Sequence, residues 1–254
     1  MYINNINIIY YVIVGVIGLF VGQFTDWCNS RLPEYKKVFS KDFFTIYLPN
    51  MKIKYISSFA TAIIYIALLY FIGWNDNIVS RLDLIKYMIL TPMLISAFVI
   101  DYRLQIIPNR LNLTIFETGL IFTFIQGLYN PQLAWSLIQG GLIGAGIFLV
   151  ITLIGGLIAG KEAMGFGDVK FMGAIGLFFG NMNIVAISVI AFLLAAVISI
   201  ILIVTKVKKT DEYIPFGPFI VMASFIVMIV PFEMLLFVLL KIFTLGMYQG
   251  TYVK

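Results

Sequence analysis

Histidine is absent from all 254 residues, and Cys28 is the lone cysteine. These two absences remove His-based triads, imidazole relays, histidine metal ligands, an intramolecular disulfide and any multi-cysteine zinc site. Charge is scarce too: 11% of residues are charged, against roughly 25% in an average globular domain. Chemistry is left to carboxylates, hydroxyls, lysine and the backbone. What is abundant is apolar surface, 61% of the chain, so the sequence reads as an integral membrane protein. Met1 to Asn7 carries no charged side chain and the first apolar run continues to Phe24. No cleavable signal is therefore expected, and that run is read as a membrane helix.

A helix needs about 20 apolar residues to cross the hydrocarbon. Runs that meet or approach this are Ile8 to Phe24, Ile56 to Trp74, Leu84 to Ile100, Leu111 to Leu128, Ala134 to Ala159, Val169 to Gly180, Ile184 to Val204 and about Phe216 to Ile242. The expected fold is an all-α polytopic membrane protein with about eight transmembrane helices. Short loops join them, and one small cytoplasmic loop region covers 29–55, all within a single integral-membrane domain, 1–254. Val169 to Gly180 rises only about 18 Å, so it is tilted, extended through Asn181 to Asn183, or incompletely spanning. Pro231 should kink the last run.

Basic residues give an orientation. Alternating the loops between two sides puts Arg31, Lys36, Lys37, Lys41, Lys52, Lys54, Arg103, Arg110, Lys161, Lys170, Lys206, Lys208 and Lys209 on one side. Only Arg81, Lys86, Lys241 and Lys254 fall on the other. The first side is read as cytoplasmic, with both termini outside. The net charge of +5 is scattered through short loops, a topology signal, and nucleic acid is not an expected partner. Glycines at four-residue spacing (Gly18 and Gly22, Gly140 and Gly144, Gly156 and Gly160, Gly176 and Gly180) suit close helix packing.

Two polar stretches interrupt the apolar runs: Asp101 to Arg110, and Gly165-Phe-Gly-Asp168-Val-Lys170. In the assigned topology Asp101 ends an inward-running helix and Asp168 begins an outward-running one, both on the cytoplasmic face. Two carboxylates brought together share a proton; the ionised one activates water while the protonated one polarises a carbonyl. The plainer readings are Asp168 as a helix N-cap after Gly167 and Asp101 as an interfacial acid paired with Arg103 or Arg110. Gly165 and Gly167 leave room for an extended peptide. Pro108 fits the first turn of the fourth helix and restricts Ile107, giving a rigid loop after Asp101.

Gly165-Phe-Gly-Asp168 resembles the Gly-x-Gly-Asp signature of membrane aspartic proteases, and Asp101 with Ile107-Pro-Asn109 resembles the first catalytic motif of the type IV prepilin peptidases. Gly22-Gln-Phe24 through Arg31-Leu-Pro33, and Ile214-Pro-Phe-Gly-Pro218, are similar to two further motifs of that family in the same order. The resemblance implies a catalytic pair, Asp101 and Asp168, with substrate contacts at Gly165, Gly167, Pro108 and Asn109. It implies a bacterial, multi-pass enzyme of the cytoplasmic membrane with its site facing the cytoplasm. Its partners would be the lipid bilayer and prepilin or pseudopilin precursors, cut after a glycine ahead of their apolar helix. No cofactor is needed for proteolysis. Many members also methylate the new N-terminus with S-adenosylmethionine and carry two Cys-x-x-Cys pairs in the first cytoplasmic loop. Here 31–55 holds no cysteine, so no zinc and no other metal site is expected, and methyl transfer stays open. Gln23 replaces a usually small residue.

Other readings remain at this stage. Presenilin and signal-peptide-peptidase-like proteases share Gly-x-Gly-Asp but continue with Pro-Ala-Leu, where this chain has Pro215-Phe-Gly-Pro218. A cation- or proton-coupled transporter would use Glu117 beside Thr114 and Thr118, or Glu233. A structural subunit would need neither aspartate. Asp26 is a candidate substrate contact or a hydrated acid, and Cys28 an inert small residue.

Overall fold

In a computed structural model of the chain, residues 2–4, 6–38, 40–47, 55–159, 164–206 and 214–244 are described. Outside them lie Lys52, Lys54, Lys161, Lys208, Lys209, Lys254 and Gly160, with parts of the 29–55 loop. The fold is all-α apart from a two-residue ladder, β1 (Tyr2–Ile3) against β2 (Ile6–Asn7). The helices are α1 (Ile8–Arg31), α2 (Tyr55–Ile72), α3 (Ile78–Leu104), α4 (Asn109–Gly127), α5 (Pro131–Ala159), α6 (Phe166–Val204), α7 (Gly217–Ile229) and α8 (Phe232–Phe243). Asparagines start two of them: Asn7 Oδ1 accepts from the Ile9 amide at 3.1 Å and Asn77 Oδ1 from the Val79 amide at 2.9 Å, which satisfies first-turn donors. Among the described residues α1, α3, α5 and α6 are long and apolar enough to cross a membrane, and 56–72 and 217–229 are shorter apolar helices. This is a polytopic membrane protein.

The two expected runs at Val169–Gly180 and Ile184–Val204 form α6, which is broken at Gly180 (φ 78°, ψ 179°). That break is a reversal. A Cβ on Gly144 of α5 would lie 2.6 Å from the Met172 carbonyl oxygen and 2.9 Å from Ile184 Cγ1, whereas a straight helix would separate those two residues by about 18 Å. Hence α6 is two antiparallel limbs gripping α5. Asn181 caps the turn: it accepts from Ser136 Oγ at 3.0 Å and donates to Gln139 Oε1 at 2.9 Å. Gly140 and Gly176 bring α5 and the first limb into backbone contact, and Gly18 and Gly22 do the same for α1 against Ala62 and Ser58 of α2. Helices in lipid associate through such close packing because no hydrophobic force separates tails from leucines.

The last expected run differs more. Val230 is extended (φ −99°, ψ 125°) and Pro231 opens a new helix, so the kink is a full break. The 13 residues of α7 rise about 20 Å and the 12 of α8 about 18 Å, each short of a ~30 Å hydrocarbon core. Only Leu235 of α8 is buried, so this helix lies at the periphery of the bundle with mostly apolar side chains exposed.

The cysteine-free first loop folds onto α1 through aromatic and polar contacts. Trp27 Nε1 donates to the Val38 carbonyl at 3.0 Å, and the Arg31 guanidinium lies 4.1 Å from the Trp27 ring while bonding Asp42 Oδ2 at 2.8 Å. That hydrogen bond holds the Asp42 carboxyl below its ordinary range. Phe43, in a π-helical turn at Phe43–Tyr47, meets the rings of Phe24, Trp27 and Tyr47. Gln23 acquires its reason here. Its Nε2 donates to Tyr47 OH at 3.0 Å, Tyr47 OH donates to its carbonyl at 3.0 Å, and Ser58 Oγ donates to its Oε1 at 3.2 Å. One amide thus joins α1, the loop and α2. Arg110 donates to the Tyr35 carbonyl at 2.7 Å, drawing the same loop towards the start of α4.

A side chain at Gly144 must displace backbone, while nothing lies within 4 Å of a Cβ on Gly146. Gly144→Leu should cost about 1–3 kcal/mol or more and Gly146→Ala no more than about 0.5 kcal/mol, read as thermal unfolding in detergent micelles. Equal midpoints for the two variants would refute the backbone contact.

Candidate functional site

Asp101 lies in the last turn of α3. The helix stops four residues later because Gln105 adopts a left-handed conformation (φ 56°, ψ 34°), its amide donating to the Asp101 carbonyl at 2.9 Å. The chain then runs through Ile106 and Ile107 to Pro108. Pro108 is the N-cap of α4, one position before the first turn where its sequence placed it, and its carbonyl accepts from the Leu111 amide at 3.0 Å. Asp101 is 3% exposed. The expected pairing with Arg103 or Arg110 gives way to a different partner: Asp101 Oδ2 accepts the Gly217 backbone N–H at 2.9 Å, from the first residue of α7.

Asp168 is 5% exposed. It is not an N-cap. Gly165 holds that place, α6 begins at Phe166, and no side chain caps the helix. Asp168 is instead in the first turn, its amide bonded to the Gly165 carbonyl at 3.0 Å. That leaves the carboxylate free of the capping role, and it lies within electrostatic reach of Asp101. The structure thus brings two buried carboxylates that sequence separates by 67 positions into one electrostatic neighbourhood.

The other expected residues divide. A Cβ on Gly165 would come no nearer than 3.8 Å to any atom, Asp168 Oδ2 being the closest, and one on Gly167 would meet Ile107 at 3.7 Å. Both are ordinary contacts, so internal packing does not demand glycine at either position. Asn109 Oδ1 accepts from Lys170 Nζ at 3.1 Å, and Pro108 is buried in the link between Asp101 and α4. Two residues at the site were missed. Gly217 stands inside the Pro215-Phe-Gly-Pro218 motif, whose contact with Asp101 no spacing rule reveals. Asn112, one turn into α4, donates from Nδ2 to the Gly167 carbonyl at 3.2 Å and carries no motif of its own. Outside the site, Glu117 is exposed on the outer face of α4, while Thr114 and Thr118 donate to the carbonyls of Arg110 and Thr114. An interior relay built on Glu117 is therefore not formed. Asp26 is buried, which removes the hydrated reading.

A polytopic helical membrane protein with two buried, electrostatically coupled carboxylates at the ends of helices is the class that fold and site define. Residues 88–204 match the model of the type IV leader peptidase family. Leader peptidase HopD of Escherichia coli is 32% identical over 149 residues, covering 57% of this chain and 90% of that protein. The chain belongs to the type IV leader peptidase family. It is also similar to the prepilin leader peptidase/N-methyltransferase of Aeromonas salmonicida (28% over 142 residues, 56% of this chain and 48% of the relative). The protein of the same name from Xanthomonas campestris is 30% identical over 139 residues, 55% and 47% of the two chains. The match thus spans about half the length of these two relatives. No solved structure matches.

The space around the glycines gives a direct comparison. A Cβ on Gly217 would lie 2.6 Å from Asp101 Oδ2. Gly217→Ala should therefore destabilise the fold by about 1–3 kcal/mol, whereas Gly165→Ala should stay within about 0.5 kcal/mol of the parent. Thermal unfolding of both in micelles checks this, and an unaffected Gly217→Ala would disprove the close approach.

Proposed function

We propose that this protein is a membrane aspartic endopeptidase that removes the N-terminal leader of prepilin or pseudopilin precursors at the cytoplasmic face of the bacterial inner membrane. The observation that carries the reading is the pair of buried carboxylates, Asp101 and Asp168, within electrostatic reach of each other in the span that matches the family. Asp101, whose Oδ2 already accepts the Gly217 N–H, is the general base; an N–H donor suits an ionised acceptor. Asp168 carries the shared proton. Asp101 takes a proton from water as the oxygen adds to the scissile carbonyl carbon, and Asp168 donates to the carbonyl oxygen. Collapse of the tetrahedral adduct breaks the C–N bond, with a proton passing to the leaving amine. No covalent enzyme intermediate forms and no metal takes part. The extended peptide lies along Gly165 to Gly167, where the lack of side chains lets a second backbone approach. The basic residues Arg31, Arg103 and Arg110 support a cytoplasmic placement of this end of the bundle.

A second activity is supported by the N-methyltransferase named in the Aeromonas and Xanthomonas relatives. S-adenosylmethionine would supply the methyl group. One cavity has residues that fit it: about 470 Å³ between α1, α2, α3 and α7, bounded by Asp26, Asn29, Ser57 and Arg103. Both side-chain amide atoms of Asn29 are buried there with no hydrogen-bond partner among the described residues. Asn29 and Asp26 would hold the polar end of the methyl donor.

The test is mass spectrometry of a peptide with a basic leader and a Gly-Phe junction, incubated with the protein in lipid, with and without S-adenosylmethionine. Cleavage should fall at least about 10²–10⁴-fold in Asp101→Asn and in Asp168→Asn. The parent should show a bell-shaped pH profile, losing activity at low pH where both carboxyls are protonated and at high pH where both are ionised. Full cleavage by either variant would sink the reading, and a methyl group on the product would establish the second activity.

A further inference from the structure

A groove of about 680 Å³ runs between α4, α5 and the first limb of α6. It is not the carboxylate site. At 3.6 residues per turn, its α6 residues Gly173 and Leu177 lie about 140° and 180° around the helix from Asp168. It begins at Asn109 and Lys170, beside the Gly165-Phe-Gly-Asp168 turn, and follows α4 down to Leu120. That is about 16 Å, or three helical turns. Gly141, Ala145 and Gly173, small residues packed against one another where α5 and α6 meet, are among its lining residues. Its rim is apolar, with Leu142 69% exposed.

One of the groove's lining residues carries an unsatisfied polar atom. Asn112 lines it and is 4% exposed; its Nδ2 is spent on the Gly167 carbonyl, and its Oδ1 is buried with no partner among the described residues. A buried acceptor left empty costs free energy, and it calls for a donor. An acyl chain has none. The N-terminus of a helix has up to four, because its first backbone N–H groups lack intrahelical partners.

We infer that this groove is the docking site for the apolar helix that follows the scissile bond of the substrate, with Asn112 Oδ1 accepting a backbone N–H from that helix's first turn. This rests on the peptidase reading above. The substrate strand crosses the start of α6 over Gly165 and Gly167, and its helix descends on the opposite face. Asn112 is then a positioning residue, joining the docked helix to the backbone one residue from Asp168.

Binding and cleavage are measured separately. With a photoreactive benzoylphenylalanine at Leu142 in the Asp168→Asn background, a leader-bearing substrate in vesicles should crosslink through its apolar helix; the same probe at Phe20, on the outer face of α1, should not. Ala145→Phe should reduce kcat/KM for the complete substrate about tenfold, relative to a substrate truncated soon after the junction, through KM. An ester replacing the critical first-turn amide should raise KM for the parent but have no further effect in Asn112→Ala. Cleavage by the parent without a crosslink at Leu142, or with phospholipid adducts only, overturns the docking site and leaves the peptidase standing. A crosslink without cleavage of any substrate supports the docking site and removes the peptidase. Neither crosslink nor cleavage removes both.

Discussion

A carboxylate buried in a membrane bundle has to be compensated locally, because burial strips it of most of its hydration. For Asp101 the compensating group is one backbone N–H, that of Gly217. The contact ties the last turn of α3 to the first residue of α7. It works only because position 217 has no side chain, since a Cβ would overlap the carboxylate oxygen it serves. A first-turn amide of a helix is otherwise an unsatisfied donor, so the same bond resolves a deficit on each side. The motif Pro215-Phe-Gly-Pro218 is thereby explained as chain geometry: α7 starts where its amide meets Asp101.

The position of the second carboxylate depends on glycines further from the chemistry. The first limb of α6 is clamped to α5 by backbone contact at Gly140, Gly144 and Gly176, and the reversal at Gly180 lets the second limb return along the same helix. These contacts set the depth and rotation of the limb whose first turn carries Asp168. Asn112 adds the remaining link, from α4 to the Gly167 carbonyl. Scaffold and site are thus continuous: the same close approaches that substitute for a hydrophobic driving force in lipid also aim the carboxylate.

The first loop shows a similar economy. With no cysteine to build a metal site, its fold relies on Trp27, Phe43 and Tyr47, on the Arg31–Asp42 pair and on the amide of Gln23. Gln23 looked anomalous as sequence, a bulky polar residue in an apolar helix. Both polar atoms of its side chain, and its backbone carbonyl, are engaged once the loop and α2 are in place, which is why a larger residue is tolerated there.

Sequence alone determined the membrane class, the eight apolar runs, the segregation of basic loops and the pairing of Asp101 with Asp168 as a hypothesis. Those depend on length, composition and order, which are local properties of the chain. It could not distinguish Asp168 as a cap from Asp168 in the first turn, because Gly165 and Gly167 are equally good helix starters on paper. Nor could it tell a kink at Pro231 from a break, or a tilted sixth span from a hairpin limb, since each choice is made by the neighbour against which the segment packs. Tertiary structure decided these, together with the Gly217 amide on Asp101 and the empty acceptor of Asn112. A hydrogen bond between residues 116 positions apart leaves no periodicity to read; it exists only when two helix ends are brought to the same place.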